Sequence, residues 1–132
     1  MKTVVLCPPD YFGIEYEINP WMHLGTQVDK EELKSSYQKL KLTYESLGCT
    51  VWEISPIESL PDMVYSANFG FPIGKSFILS NFKFPQRKKE AYYAEQLFLQ
   101  KGYEIKKLPE EISYEGQGDL LTVGGKYFFR LG

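Results

Sequence analysis

The spacing of apolar and polar positions changes period several times along the chain, and each change marks an element. Lys2–Cys7 is mostly aliphatic or β-branched and is stopped by Pro8-Pro9, which predicts a short strand. Residues 10–28 hold Tyr, Phe, Trp, Gly and Pro without a period, a long irregular segment of the kind that often carries function. Asp29 reads as a helix N-cap with Glu32 at the capping-box position, and Leu33, Tyr37, Leu40, Tyr44 and Leu47 follow as one apolar stripe. Gly48 fits the position just past that helix. Thr50–Ile54 is the next strand, ended by Pro56, and Ser76–Ser80 is another. Pro85 opens a second helix whose apolar positions are Ala91, Ala94 and Phe98, and Gly102 ends it. Tyr103–Leu108 reads as a strand ended by Pro109. Asp119–Val123 and Lys126–Leu131 read as two strands joined by a tight turn at Gly124-Gly125.

The elements repeat. Gly48-Cys49-Thr50-Val51 recurs as Gly102-Tyr103-Glu104-Ile105, each closing a helix and opening a strand. Lys2–Leu6 is echoed by Lys75–Leu79 and by Lys126–Arg130. The unit is strand, helix, glycine, strand, then a polar knot leading to the next strand, which predicts a modular α/β array. A third unit starts near Asp119 and reaches its lysine strand without a helix. Val123–Leu131 would then present an apolar edge, so the expectation is a longer parent chain or a second chain or homo-oligomer covering that edge.

At 132 residues the chain is one domain's worth, and 43% hydrophobic and 16% aromatic residues are enough to build a core. Net charge is −2 with both signs interspersed, and the Lys88-Lys89 and Lys106-Lys107 doublets read as solvated faces. No nucleic-acid partner is expected. No apolar run approaches the roughly 20 residues that span a bilayer, so no membrane partner is expected and the location is taken as cytoplasmic. Cys7 and Cys49 share no metal-type spacing and read as buried structural cysteines. His23, the one histidine, lies beside Met22 and Leu24 and reads as structural or exposed.

Chemistry concentrates in two places. Tyr114-Glu115-Gly116-Gln117-Gly118-Asp119 sets two carboxylates around two glycines, a turn able to aim Glu115 out of a strand end; a charged surface turn would use the same pattern. Upstream, Pro61–Asn68 is a second polar knot. If that segment is extended, Asp62, Val64, Ser66 and Asn68 share a face, which suits a polar ligand or the wet side of an ordinary strand. Clustered carboxylates with an amide carbonyl favour a cation, and a planar guanidinium matches a carboxylate with two parallel N–H bonds. Arg87, read alone, is a surface arginine pairing with Glu90 or Glu95. Composition and spacing stop at an α/β module with an anionic cleft.

Four ordered pieces carry a resemblance: Tyr16–Met22, Leu60–Asn68, Asn81-Phe82 with Arg87 and Glu90, and Glu115–Asp119. Together they resemble the amidinotransferase and dimethylarginine dimethylaminohydrolase superfamily of guanidine-modifying enzymes, from Met1 to Gly132, and most closely its arginine-dihydrolase-type branch. The resemblance implies an α/β fold: a pentein-like propeller of about five ββαβ-type modules, of which residues 1–132 hold about two and a half as a single partial domain. It implies a small-molecule, arginine-like guanidine substrate, no cofactor and no metal. Family members attack the guanidinium carbon with a cysteine, a histidine serving as general acid/base.

Carried over by position, Glu115 matches the acidic residue that binds the guanidinium and orients the histidine. Asn68 stands where related deiminases carry an aspartate, and Asn19 matches an asparagine of the dihydrolase-type branch. Asp62 matches an acid contacting the substrate's α-amino end, and Arg87 the arginine gripping its α-carboxylate. Asp119 closes the glycine turn. The resemblance implies that the family's histidine and cysteine lie in the half that would follow Gly132; Cys7, Cys49 and His23 match neither. The expected function is therefore the substrate-binding N-terminal half of a guanidine C–N hydrolase or amidinotransferase, inactive alone. The alternatives are half of a split enzyme or a non-catalytic guanidine-binding module.

Overall fold

The computed structural model describes residues 2–130. The chain divides into two compact units, Met1–Ser66 and Ala67–Gly132.

The first unit is a βαβ piece. Strand β1 (Thr3–Leu6) pairs in parallel with β2 (Thr50–Glu53), and helix α1 (Lys30–Ser46) makes the crossover. The helix starts because Asp29 accepts the Glu32 backbone N–H at 3.0 Å, satisfying one of the first-turn donors. It ends because Gly48, at φ +77°, takes the left-handed conformation that glycine adopts without steric cost, and Cys49 N–H returns to the Tyr44 carbonyl. Its stripe is shallower than the periodicity predicts: Leu33, Tyr37 and Tyr44 are half-buried, Leu40 and Leu47 are exposed, and no residue of α1 is fully buried. On one side Tyr37 donates to the Glu53 carboxylate at 2.8 Å and Lys41 pairs with it, so hydrogen bonds as well as apolar contact fasten helix to strand.

The core of this unit is Cys7, Ile54, Leu60 and Met63. Cys7 is buried as expected, whereas Cys49 is half-buried at the start of β2. His23 is exposed.

The second unit holds one full module and the opening of another. Strand β3 (Gly70–Ile73) pairs antiparallel with β4 (Ser76–Leu79), and β4 pairs in parallel with β5 (Glu104–Lys106) after helix α2 (Pro85–Gln100). The α2 face Ala94 and Phe98 is buried; the Phe98 ring stacks on Phe77 of β4 with centroids 3.6 Å apart. Strands β6 (Leu120–Val123) and β7 (Lys126–Phe129) form the expected antiparallel hairpin across Gly124-Gly125, both at positive φ. Leu131, the last position of the predicted final strand, lies outside the described residues.

Two expectations are corrected. Pro61–Asn68 is not an extended strand with one polar face. It forms consecutive 3₁₀ turns, Pro61–Val64 and Ser66–Phe69, with Met63 N–H bonded to the Leu60 carbonyl and Tyr65 N–H to that of Asp62. Pro61 fixes the φ that a first helical turn needs. The other is β3, a strand the periodicity does not show, since glycine and proline at Gly70 and Pro72 interrupt any alternating pattern. Gly70 sits at φ +155°, where a Cβ would meet the Ile78 carbonyl oxygen at 2.3 Å, and Pro72 lies on a strand that, among the described residues, pairs with β4 at the edge of its sheet.

Candidate guanidine-binding site

Glu115 is held by its backbone from two sides. Its N–H donates to Asp119 Oδ2 at 2.8 Å, and its carbonyl accepts from Asn68 Nδ2 at 3.1 Å and from Gly118 N–H at 3.1 Å. Asp119 thus closes the glycine turn as the sequence predicts. Gly116 is required there: at φ +57° its hydrogen faces the Ala67 carbonyl oxygen, and a Cβ would come within 2.5 Å of it. Pinning the backbone leaves the half-buried Glu115 side chain as the group presented to a cavity of about 710 Å³. Tyr114, Asp119, Leu120, Lys83 and Phe129 also line that cavity.

Asn68 is fixed just as fully. Its Oδ1 accepts from Arg87 Nη1 at 3.1 Å while its Nδ2 serves Glu115, and its carbonyl accepts the Ser80 hydroxyl. Arg87 is not on the surface: it is 6% exposed, lies over the Phe82 ring at 4.6 Å and makes a two-point pair with Glu90, itself 0% exposed. The pairing with Glu90 is the one the sequence allowed for; the burial is what it did not show. The i,i+3 spacing on α2 puts both side chains on one inward face. Glu90 and Phe82, quoted in the sequence only as part of the Arg87 motif, and Ser80, not singled out there, are therefore parts of the cluster. The Glu90 signal was its place three residues after an arginine on the α2 face that Ala94 and Phe98 continue inward.

The 3₁₀ turn buries Asp62 in the first unit, where Oδ2 accepts the Tyr16 hydroxyl at 2.8 Å. Asn19 is exposed, and its Oδ1 accepts the Trp21 backbone N–H at 3.0 Å, the geometry of a local Asx turn. The structure thus joins Asn68, Arg87, Glu115 and Asp119 in one bonded cluster of the second unit; Asp62 and Asn19 belong to the first.

Tyr114 lies beside Glu115 with its hydroxyl buried and no hydrogen-bond partner among the described residues. Burial, aided by the charge of Asp119, pushes its phenol up to about 12. It stays a neutral donor across physiological pH. Among the groups lining the cavity, the Glu115 carboxylate can take a planar cation through two parallel N–H bonds.

No family model matches the chain. It is 39% identical over 123 residues to the N(G),N(G)-dimethylarginine dimethylaminohydrolase of Mycobacterium tuberculosis (strain ATCC 25618 / H37Rv), covering 93% of this chain and 40% of that protein. It is 33% identical over 119 residues to the bifunctional arginine dihydrolase/ornithine cyclodeaminase ArgZ of Synechocystis sp. (strain ATCC 27184 / PCC 6803 / Kazusa), covering 89% of this chain and 17% of that protein. The chain thus spans less than half the length of these relatives. Among solved structures, the product-bound N-terminal domain of ArgZ superposes with a TM-score of 0.84 at 33% identity, over 90% of this chain and 44% of that one. A dimethylarginine dimethylaminohydrolase adduct shares the fold at a TM-score of 0.78 and 14% identity, over 97% of this chain and 48% of that one. In sequence and in fold the chain is a homologue of the dimethylarginine dimethylaminohydrolases and of the N-terminal arginine dihydrolase domains of the ArgZ type, and it carries about two and a half modules of their pentein-like fold.

Proposed function

We propose that this chain is the substrate-binding part of a hydrolase acting on the guanidinium C–N bonds of arginine or a closely related guanidine. The observation that carries the reading is Glu115, whose backbone is pinned by Asn68 and Asp119 and which lines a cavity. A carboxylate matches the two parallel N–H groups of a guanidinium. Asn68 carries an amide where a charged residue would raise the negative charge of the site. That fits a dihydrolase-type substrate, as does the arginine dihydrolase activity of the ArgZ relative. Asp62 and Asn19 are assigned to the substrate's amino-acid end. Arg87, which the resemblance sets at the substrate's carboxylate end, is buried here and bonded to Glu90 and Asn68, so it supports the site by holding Asn68.

A nucleophile is not part of this assignment. Cys7 is buried, and neither it, Cys49 nor His23 matches the cysteine or histidine of the resembling enzymes. Binding and orientation belong to this chain in the proposal, and covalent chemistry to residues outside it; the 132-residue chain alone forms no citrulline or ornithine. The exposed β6–β7 hairpin favours a second reading, in which a separate polypeptide supplies those residues. Calorimetric titration with L-arginine tests the binding claim. The expected result is saturable binding to the wild type, lost in Glu115→Ala. Equal heats for wild type and variant would remove Glu115 from the site.

A further inference from the structure

The three residues that follow β4 serve different partners. Ser80 gives its hydroxyl to the Asn68 carbonyl, and Phe82 lies under the Arg87 guanidinium. Between them Asn81 turns the other way, as alternation along an extended segment requires, and reaches residues 109–114 instead. Its backbone makes both bonds of an antiparallel bridge: its N–H donates to the Tyr114 carbonyl at 2.8 Å, and its carbonyl accepts the Tyr114 N–H at 2.9 Å. Its side-chain Nδ2 lies 2.8 Å from the Ile112 carbonyl, 3.0 Å from that of Glu110 and 3.4 Å from that of Pro109. Two amide hydrogens serve these three acceptors, so the longest contact is the weak one. The reverse orientation would aim Oδ1 at carbonyl oxygens, so the position calls for a donor. Residues 109–113 are all exposed and lie outside any helix or strand, and the chain is buried again at Tyr114. Glu115 follows at once. Asp119 and Asn68 pin its backbone from the downstream side and from the side of the cluster, and the Asn81 bridge fixes it from upstream.

We propose that Asn81 is a positioning residue for Glu115: its amide gathers the carbonyls of residues 109–112 and so holds the Tyr114 bridge from which Glu115 departs. Asn81 acts through Glu115 and touches no substrate in this role. Its hold on Glu115 stands on the hydrogen bonds alone. Its effect on binding rests on the guanidine reading, because Glu115 is the residue assigned to the guanidinium. Side-chain chemistry separates the two simplest replacements. Asn81→Ala keeps the backbone bridge and leaves the three carbonyls to water, a small loss to the fold where the segment is exposed. Asn81→Asp keeps the shape but sets a carboxylate, which only accepts, against the same carbonyls. Those carbonyls favour the neutral acid, which regains one donor when it takes up a proton.

The test compares the wild-type chain with Asn81→Ala and Asn81→Asp by amide hydrogen exchange and by calorimetric titration with L-arginine. Near neutral pH both variants should speed exchange at the Tyr114 and Glu115 amides about tenfold, while the amides of α2, in the same unit, keep their protection. Arginine binding should weaken by a similar factor. The deficit of Asn81→Asp, measured against the wild type at the same pH, should shrink as pH falls from about 7 to about 5, and that of Asn81→Ala should not. Should Asn81→Asp fail to fold, Asn81→Ala, which adds no charge, carries the comparison. Equal exchange at Glu115 in wild type and variants overturns the inference. So does an acceleration shared by α2, which would make Asn81 a stabiliser of the whole unit. A wild-type chain that takes up no arginine sinks the guanidine reading instead, and exchange at Glu115 then decides the positioning claim by itself.

Discussion

Arg87 and Glu90 meet twice within one turn of α2, Nε to Oε2 and Nη2 to Oε1, both at 2.8 Å. The remaining Nη1 reaches Asn68 at 3.1 Å, so the buried pair also sets the amide that supports Glu115. Two charges removed from water are tolerated only as a pair. Glu90→Gln leaves the guanidinium buried without its counter-charge and should cost about 3–5 kcal/mol in urea unfolding. Replacing both, as Arg87→Met with Glu90→Leu, should recover much of that stability while freeing Asn68. Hydrogen exchange at the Asn68 side-chain amide separates the outcomes: it should speed up in both variants, including the one that regains stability.

Gly116 and Gly124 share nearly the same φ, +57° and +56°, but not the same surroundings. A Cβ at Gly116 meets the Ala67 carbonyl oxygen at 2.5 Å and Gly70 N at 2.8 Å; at Gly124 it meets nothing within 4 Å. Gly124→Ala should therefore cost only the left-handed backbone penalty, about 1–2 kcal/mol. Gly116→Ala adds a clash with rigid backbone and should cost clearly more, with loss of arginine binding because the turn carries Glu115. Equal unfolding midpoints for the two variants would mean that the close approach at Gly116 is not limiting.

Local signals were legible and buried polar ones were not. The Asp29 cap, the left-handed Gly48 and the Gly124-Gly125 turn are written in neighbouring residues, and α1 and the last hairpin were readable for that reason. Glu115 and Asp119 were legible as a pair because the turn joining them is short. Glu90 and the inward side of Arg87 were not, since a charge on a helix reads as solvated until another element covers it. The turns at Pro61–Asn68 were masked by residue types that also suit an extended segment. The exposure of Leu40 and Leu47 on a regular apolar stripe makes a related point: period gives a face, and only packing says whether anything covers it.

Tyr16 and Asp62 lie 46 positions apart and are joined at 2.8 Å inside the first unit, fastening the irregular segment 10–28 to a buried carboxylate. Tyr16→Phe keeps the ring and removes the donor. Hydrogen bonds to charged groups contribute about 1.5–3 kcal/mol, and a loss in that range is expected in thermal or urea unfolding. A variant as stable as the wild type would show that solvent replaces the phenol.

Tyr114 gives a prediction of opposite sign. Its hydroxyl is buried without a hydrogen-bond partner among the described residues, and burial raises its phenol from 10.0 to about 12. The folded state therefore disfavours the phenolate relative to the unfolded chain. The corresponding stability is fully present below about pH 10 and is lost as pH rises toward 12. Tyr114→Phe removes both the buried donor and the titration. At pH 7 it should be neutral or slightly stabilising, since no hydrogen bond is given up and a polar group leaves an apolar site. Between pH 10 and 12 it should hold its stability while the wild type loses it, so the two urea midpoints diverge as pH rises. If instead Tyr114→Phe destabilises at pH 7 and abolishes arginine binding, the phenol oxygen is a hydrogen-bond partner of the substrate. The cavity at Glu115 then has a polar wall on the Tyr114 side.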